Sequence, residues 1–130
     1  MGPPPKLVSD TELQILKVLW QLGEGTVRDV LREAEVQGRD WAYTTAQTLL
    51  NRLQDKGFVA SEKRGRAFLF RAAVSRDDLL GRSLKQLAER VCDGASLPLL
   101  LNLVHGAGFS SKEREAFREL LDRLDREELN

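Results

Sequence analysis

The fold is decided by residues 42–73, which read AYTTAQTLLNRLQDKGFVASEKRGRAFLFRAA. Up to residue 56 the apolar side chains recur at helical spacing, and a glycine follows where the helix is expected to end. The spacing then changes from 3.6 to 2, which predicts two short strands at residues 58–63 and 67–73. Between them lies Arg64-Gly65-Arg66, a three-residue loop in which the glycine can adopt positive φ. The segment therefore predicts a helix followed directly by a β-hairpin.

Two further helices are predicted before this segment. Ser9 and Glu12 form a capping-box pattern at the start of the first helix, which runs to Leu22 and stops at a glycine. The second helix opens at Thr26 and ends before Gly38. Three short helices with a brief turn between the second and the third indicate a helix-turn-helix, and the hairpin after it indicates a wing. The predicted fold class is thus mainly α with a small β-hairpin, in a winged helix-turn-helix.

The solvent face of the third predicted helix carries short neutral donors and acceptors, where lysine and glutamate are more usual. Hydroxyls and amides match the donor and acceptor patterns of base edges, and threonine methyl groups can contact thymine. The pattern predicts a DNA-reading face formed by Thr44, Thr45, Gln47, Thr48, Asn51 and Arg52. The alternative at this point is a polar helix face that is merely solvated.

The charges are unevenly distributed along the chain. The 20 basic and 20 acidic residues give a formal net charge of zero, which argues against binding nucleic acid by bulk charge alone. Residues 39–71, however, carry seven basic and three acidic side chains. Lys63, Arg64 and Arg66 lie at the predicted hairpin tip, where they could reach phosphates or the minor groove of double-stranded DNA. The alternative is a charged turn that discourages edge-to-edge pairing of strands.

Further helices are predicted after the hairpin, and one of them, at residues 96–105, is apolar nearly all round. A monomer of this size cannot cover such a helix, so we expect it to be buried in an isologous homodimer. The residues predicted to form this dimerisation surface are Leu80, Leu84, Leu87, Leu97, Leu100, Leu101, Val104, Phe117, Leu120, Leu121 and Leu124. The predicted division is a flexible arm at residues 1–8, a winged helix-turn-helix DNA-binding domain at 9–74 and a helical dimerisation domain at 75–130.

Several classes of protein and site are disfavoured. Cys92 is the single cysteine, which excludes a disulfide framework and a thiolate metal cluster, and we interpret it as a buried apolar residue. The single histidine, His105, is not part of a metal-binding pattern. No apolar run approaches the roughly 18 residues needed to span a bilayer, and residues 1–6 lack the core of a secretory signal. We therefore expect a cytoplasmic protein with no membrane insertion, metal or cofactor. Because no G-x-S-x-G, P-loop or H-E-x-x-H motif occurs, we also expect that it is not an enzyme.

Four stretches carry a specific combination of residues. They are KVLW at residues 17–20, DWAYTTAQTLLNRL at 40–53, RGRAF at 64–68 and VSRD at 74–77. This combination resembles the penicillinase repressor (BlaI/MecI/CopY) family of transcriptional regulators. The resemblance covers about residues 9–125. It implies a homodimeric winged-helix repressor that binds a palindromic operator of TACA/TGTA type, with Thr44, Thr45 and Thr48 among its DNA contacts.

The resemblance also implies how repression is released. In the β-lactam-responsive branch of the family, a membrane sensor-protease triggers cleavage of an asparagine–phenylalanine bond in the dimerisation region. Asn102 and Leu103 align with that bond, with leucine in place of phenylalanine. The alternative for Asn102 is a polar residue on a helix surface. The copper-responsive branch has a cysteine-rich tail, which a chain with only Cys92 does not match.

Two other functions remain open from the sequence. One is a winged-helix module that binds proteins and never contacts DNA, for which an apolar or acidic third helix would be expected. The other is a repressor that is released by a small ligand bound in its C-terminal core, with no proteolytic step.

Overall fold

The computed structural model describes residues 7–106 and 108–129, and these form six helices and three strands. In chain order the elements are α1 (Asp10–Leu22), β1 (Glu24–Gly25), α2 (Val27–Val36), α3 (Tyr43–Asp55), β2 (Val59–Arg64), β3 (Ala67–Ala72), α4 (Arg76–Val91), α5 (Leu97–Gly106) and α6 (Ser111–Leu129). The chain divides into two compact units, one up to Gln86 and one from Leu87 onward. The predicted fold class, mainly α with a small β-hairpin, is confirmed, and a short third strand joins the hairpin to form an antiparallel sheet.

The first two helices begin at local side-chain caps, as predicted. The Ser9 Oγ accepts a hydrogen bond from the Glu12 N–H (3.1 Å), and the Ser9 N–H donates to the Glu12 Oε1 (2.8 Å). Thr26 and Asp29 form the same reciprocal pair, with distances of 3.2 and 3.0 Å. Helix α3 differs, because its N-cap residue Ala42 makes no side-chain cap hydrogen bond. The start of α3 therefore depends on packing against the rest of the unit and not on a cap.

The sheet contains one strand that the sequence did not predict. Strand β3 lies in the centre, with β2 on one side and β1 on the other, and both pairs are antiparallel. In β1, Glu24 lies opposite Arg71 and Gly25 lies opposite Phe70. A Cβ atom at Gly25 would lie 2.8 Å from the Asp29 Cβ in the first turn of α2, so this close approach requires glycine. A strand of two residues has no periodicity, which is why the sequence pattern missed it.

The hairpin turn is shorter than predicted. Arg64 pairs with Ala67, so the loop between β2 and β3 contains only Gly65 and Arg66, and the predicted three-residue loop is wrong. Gly65 has φ of 64°. A glycine with positive φ at the first position of a two-residue turn is typical of type II′, which matches the twist of the strands.

The first unit has a continuous core built from α1, α2, α3 and the hairpin. Its largest fully buried side chains are Ile15, Leu16, Val18, Leu19, Val30, Leu50 and Leu53. Leu79 of α4 also belongs to this core, and the Arg82 guanidinium lies 5.8 Å from the centroid of the Phe58 ring. The structural division after Gln86 thus lies twelve residues beyond residue 74, where the sequence placed the boundary. The reason is that the first half of α4 packs on the winged helix.

Residues 1–6 of the predicted arm lie outside the described residues. The last two residues of that segment do not behave as an arm. Val8 is 9% exposed and lies in the core, and Leu7 packs against it. The arm prediction is therefore wrong for these two residues, because their apolar side chains pack in or against the core of the first unit.

The second unit has few buried side chains. No residue of α5 is buried, and the side chains of residues 111–128 in α6 are exposed. Cys92 is half-buried where full burial was predicted, because it lies just beyond the end of α4. Over residues 7–106 and 108–129, none of the helices has the length and apolar character that a membrane crossing requires.

Candidate nucleic-acid interface

The outward face of α3 presents the side chains that the sequence singled out. Thr44, Thr45, Thr48, Asn51 and Arg52 are exposed, and Gln47 is half-buried. The opposite face is anchored in the core by Ala46, Leu49, Leu50 and Leu53, each at most 5% exposed. The structure therefore brings the six predicted base-reading residues together on one accessible, rigidly backed surface.

Two hydrogen bonds within α3 organise this face. The Gln47 Nε2 donates to the Asn51 Oδ1 (3.1 Å), and the Thr48 Oγ1 donates to the Thr44 carbonyl oxygen (2.8 Å). The Thr48 hydroxyl therefore retains its lone pairs and its methyl group for contact with bases. The remaining groups of the amide pair are the Asn51 Nδ2 donor and the Gln47 Oε1 acceptor. Adenine, with one donor and one acceptor in the major groove, matches such a combination.

A partly buried ion pair holds the C-terminal end of α3. The Lys56 Nζ lies 2.8 Å from the Glu12 Oε1, and the Glu12 side chain is only 3% exposed. Burial opposes the charge on Glu12, but hydrogen bonds from Lys56 and Ser9 outweigh it and hold the pKa of this carboxyl below its ordinary value. The pair ties the end of α3 to the first turn of α1, so it sets the position of the predicted recognition helix within the first unit.

The hairpin presents two faces with different roles. Opposite residues in an antiparallel pair share a face, and successive residues alternate between faces. Phe70 is 4% exposed, and the Ser61 Oγ opposite it donates to the Gln54 Oε1 on α3 (3.1 Å). This is the inner face of the wing. Lys63 and its partner Phe68 lie on the same face, closer to the tip.

Arg64 lies on the outer face, together with two carboxylates. Its Nη1 is 3.4 Å from the Glu24 Oε1 on β1, and its Nη2 is 3.4 Å from the Glu62 Oε2 on β2. Lys63 and Arg66 form no ion pair among the residues that the structure describes. The structure thus separates the three predicted wing contacts, which sequence reasoning had treated as one group.

A groove of about 290 Å³ lies between the N-terminal ends of α2 and α3 and the inner face of the wing. Tyr43 and Phe68 are 47% and 50% exposed at this groove, and the Arg28 guanidinium lies 5.8 Å from the centroid of the Tyr43 ring. Gln47 and Arg66 also line it, so it is continuous with the predicted DNA-reading face. Sequence reasoning missed Arg28, Tyr43 and Phe68 as interface candidates, because only the register shows which face each side chain occupies.

The predicted dimerisation residues all lie on α4, α5 and α6. Each of the eleven is between 38% and 61% exposed in the single chain. Asn102 and Leu103 are exposed on α5, and the Asn102 Nδ2 donates to the Pro98 carbonyl oxygen (2.8 Å). Their proposed roles stay predictions at this point.

Comparisons with known proteins identify the family. The sequence model of the penicillinase repressor family matches residues 8–123. The methicillin resistance regulatory protein MecI of Mammaliicoccus sciuri is 28% identical over 116 residues, which cover 89% of this chain and 94% of MecI. The transcriptional regulator BlaI of Mycobacterium tuberculosis is 33% identical over 120 residues, which cover 91% of this chain and 85% of BlaI.

Solved structures are also similar. The structure of Bacillus licheniformis BlaI, solved as a monomer bound to the blaP half-operator, is 31% identical in sequence, and the match covers 59% of this chain and 90% of the chain in that structure, with a TM-score of 0.47. The protein chain in the hsRosR-S4 complex structure is 18% identical in sequence and shares the fold, with a TM-score of 0.50. The match covers 95% of this chain and 93% of the hsRosR-S4 chain. The family predicted from the sequence is confirmed. The chain belongs to the penicillinase repressor family and is a DNA-binding transcriptional repressor, not an enzyme.

Proposed function

We propose that this chain represses transcription as a homodimer that binds a palindromic operator with half-sites of TACA/TGTA type, and that it acts in the cytoplasm, where such operators lie. The observation that carries the proposal is helix α5. Six of its ten residues are leucine or valine, yet none of its residues is buried within the chain. Apolar surface of this kind is unfavourable in water by about 25 cal/mol per Å², so α5 needs a covering partner.

A second copy of the same surface is the best partner for α5. Helices α5 and α6 line an open groove of about 740 Å³ whose apolar lining includes Leu100, Val104, Phe109, Phe117 and Leu120. Four of these five belong to the predicted dimerisation surface. An isologous interface places the same apolar residues of both copies against one another, so each copy covers the other.

A two-fold dimer would present one copy of the α3 surface to each half of a palindromic operator. Two copies of α3 would enter successive major grooves about 34 Å apart, one helical turn of DNA. We assign base contacts to Thr44, Thr45 and Thr48, with Gln47, Asn51 and Arg52 beside them. Lys63 and Arg66 would contact phosphates, which set the register and the salt dependence but carry no sequence information.

Release by proteolysis follows from the same arrangement. We propose that a sensor-protease in the membrane, or another protease, cuts the bond between Asn102 and Leu103. Both residues are exposed, and the bond lies in the middle of α5. A cut there separates the first half of α5 from α6 and so weakens the dimer. Losing the second binding site lowers affinity by about 100-fold or more without changing a base contact.

A pair of matched variants tests the dimer. We expect Leu100→Glu to yield monomers in sedimentation analysis and to weaken operator binding by about 100-fold. The control is Val36→Glu, which places the same charge on an apolar residue that is 80% exposed on α2, outside the proposed interface. The control should stay dimeric. If Leu100→Glu remains dimeric and binds the operator as tightly as the parent chain, the proposed dimer surface is wrong.

A truncated chain tests the coupling between cleavage and release. A chain that ends at Asn102 reproduces the N-terminal product of the proposed cut. We expect this fragment to be monomeric and to lose about 100-fold in affinity for the palindrome, while its affinity for a single half-site stays the same. Equal affinity of the fragment and the full chain for the palindrome would contradict release by cleavage.

A further inference from the structure

The outer face of the wing holds a cluster of three charged side chains that the DNA-reading surface does not use. Glu24, Glu62 and Arg64 form it, and both terminal nitrogens of the arginine face a carboxylate oxygen at 3.4 Å. We propose that Glu24 and Glu62 restrain Arg64 from binding phosphates and thereby lower the affinity of this repressor for non-specific DNA. The inference rests on the proposed use of α3 and the wing as the DNA interface.

The cluster is placed by the sheet itself. Glu62 and Arg64 are two residues apart on β2, so they share a face of the strand. Glu24 is on β1, two strands away, and its position follows from the pairing of β1 with β3. Gly25 in the same strand lies against the first turn of α2, where an added Cβ would lie 2.8 Å from the Asp29 Cβ. The carboxylate of Glu24 is therefore held next to the wing tip by backbone pairing.

The ion pairs of Arg64 are weak enough to be exchanged. The exposed fractions of the Arg64, Glu24 and Glu62 side chains are 56%, 48% and 69%. An exposed ion pair contributes about 0.2–1 kcal/mol, which is a factor of about 1.4 to 5 in an equilibrium constant. A phosphate can therefore replace a carboxylate at Arg64, but the displaced carboxylate stays close to the phosphate and repels it.

The cluster acts on the part of the affinity that does not depend on DNA sequence. Non-specific affinity comes almost entirely from neutralised phosphates, so the loss of one phosphate contact in each wing reduces it directly. Specific affinity also contains the base contacts of α3, which lie with the inner face of the wing and are not altered by the cluster. Glu24 and Glu62 thus lower the affinity for non-specific DNA, while the base contacts of α3 still supply the preference for the operator over competing sites.

The experiment compares the full chain with three variants: E24Q/E62Q, R64Q and the triple variant E24Q/E62Q/R64Q. The matched control is E33Q/E35Q, which makes the same change in charge on α2, where neither glutamate pairs with an arginine among the residues described. The probes are a 24-base-pair duplex of random sequence and one of equal length with a TACA/TGTA palindrome. Fluorescence anisotropy measures the affinity for each probe between 50 and 200 mM salt.

We expect E24Q/E62Q to bind the random duplex about threefold to tenfold more tightly than the parent chain, which follows from two exposed ion pairs. The slope of log affinity against log salt should become steeper by about 0.9 for each wing that gains a phosphate. R64Q alone should change the affinity by less than about twofold. In the triple variant the gain should fall to the level of the E33Q/E35Q control, because the gain requires the released arginine.

Two outcomes overturn the inference. One is a gain in E24Q/E62Q no larger than in the control. The other is a gain that persists in the triple variant, which would assign the effect to general charge and not to Arg64. A cluster that only braces the hairpin would lower the thermal stability of the variants and leave the salt slope unchanged. If the parent chain does not prefer the palindrome, the proposed operator is wrong, while the random duplex still tests the role of the two glutamates.

Discussion

Removing the cation of the Glu12–Lys56 pair gives the sharpest test of how α3 is held in place. The substitution is Lys56→Met, which keeps an aliphatic side chain of similar length and removes only the ammonium group. In the parent chain the Lys56 Nζ lies 2.8 Å from an oxygen of a carboxylate that is 3% exposed. We expect the free energy of unfolding to fall by about 2 kcal/mol at pH 7.

The expected magnitude follows from the exposure of the two partners. Breaking a fully buried ion pair costs about 3–5 kcal/mol, because one charge is left without a partner. The Lys56 side chain is 43% exposed, so water reaches its ammonium group and the ion pair is worth less than that. A charge-assisted hydrogen bond contributes about 1.5–3 kcal/mol, and Glu12 still accepts the Ser9 N–H after the substitution. These considerations together give about 2 kcal/mol.

A double-mutant cycle in urea measures this coupling at fixed protein concentration. Glu12→Gln keeps the capping acceptor and removes the charge, so it should cost about 1 kcal/mol. The double variant should cost no more than Lys56→Met alone, which means a coupling of about 1 kcal/mol. Lys17→Met, a half-buried lysine on α1, is the control and should change the stability by less than about 0.5 kcal/mol. A cost below 0.5 kcal/mol for Lys56→Met, or strict additivity in the cycle, would refute the reasoning.

The same pair predicts how stability depends on pH. Burial opposes the charge on Glu12, but the bonds from Lys56 and Ser9 prevail, so the folded-state pKa is lower than the ordinary value of 4.5. The stabilisation is therefore fully present above about pH 4.5 and is lost as the pH falls through the lowered value. Glu12→Gln should show a shallower loss of stability on acidification. A remaining slope is expected, because hydrogen bonds from Thr26 also lower the pKa of Asp29.

Three further variants test the sheet and the wing. Gly25→Ala should lower the free energy of unfolding by about 1–3 kcal/mol, because the added Cβ would lie 2.8 Å from the Asp29 Cβ. An unchanged midpoint in a thermal scan would contradict the close approach. Phe68→Ser should weaken operator binding by about tenfold. Thermal stability should stay nearly constant, because the Phe68 side chain is 50% exposed. Unchanged operator affinity, measured by fluorescence anisotropy, would exclude the groove from the interface. Lys63→Gln should lower the slope of log affinity against log salt by about 0.9 per wing, whereas Arg64→Gln should leave that slope nearly unchanged. Equal slopes for the two variants would contradict the division of the wing into two faces.

Local sequence signals accounted for most of the helices. The caps at Ser9 and Thr26 were predicted residue by residue, because each depends on hydrogen bonds across three positions of the chain. The polar, DNA-reading face of α3 could be predicted for a similar reason. The period of an α-helix is known, so the apolar positions alone show which side of the helix faces the core. The family resemblance rested on these same stretches of sequence.

Features that depend on strand register could not be predicted in this way. The pairing of Arg64 with Ala67 shortened the loop, and that pairing is a property of two strands together. Strand β1 forms only because β3 offers it an edge. The interface candidates Tyr43 and Phe68 were missed because burial of an aromatic side chain is decided by its neighbours in space.

The sequence by itself determined the helix starts, the hairpin, the polar face of α3 and the family, because all of these are written in residues within a few positions of one another. Only the tertiary structure decided how the three basic residues of the wing divide. Lys63 lies on the inner face with Phe68, whereas Arg64 lies on the outer face beside Glu24, a residue 40 positions away in the chain. A contact over that separation is set by the register of three strands, so no local pattern contains it.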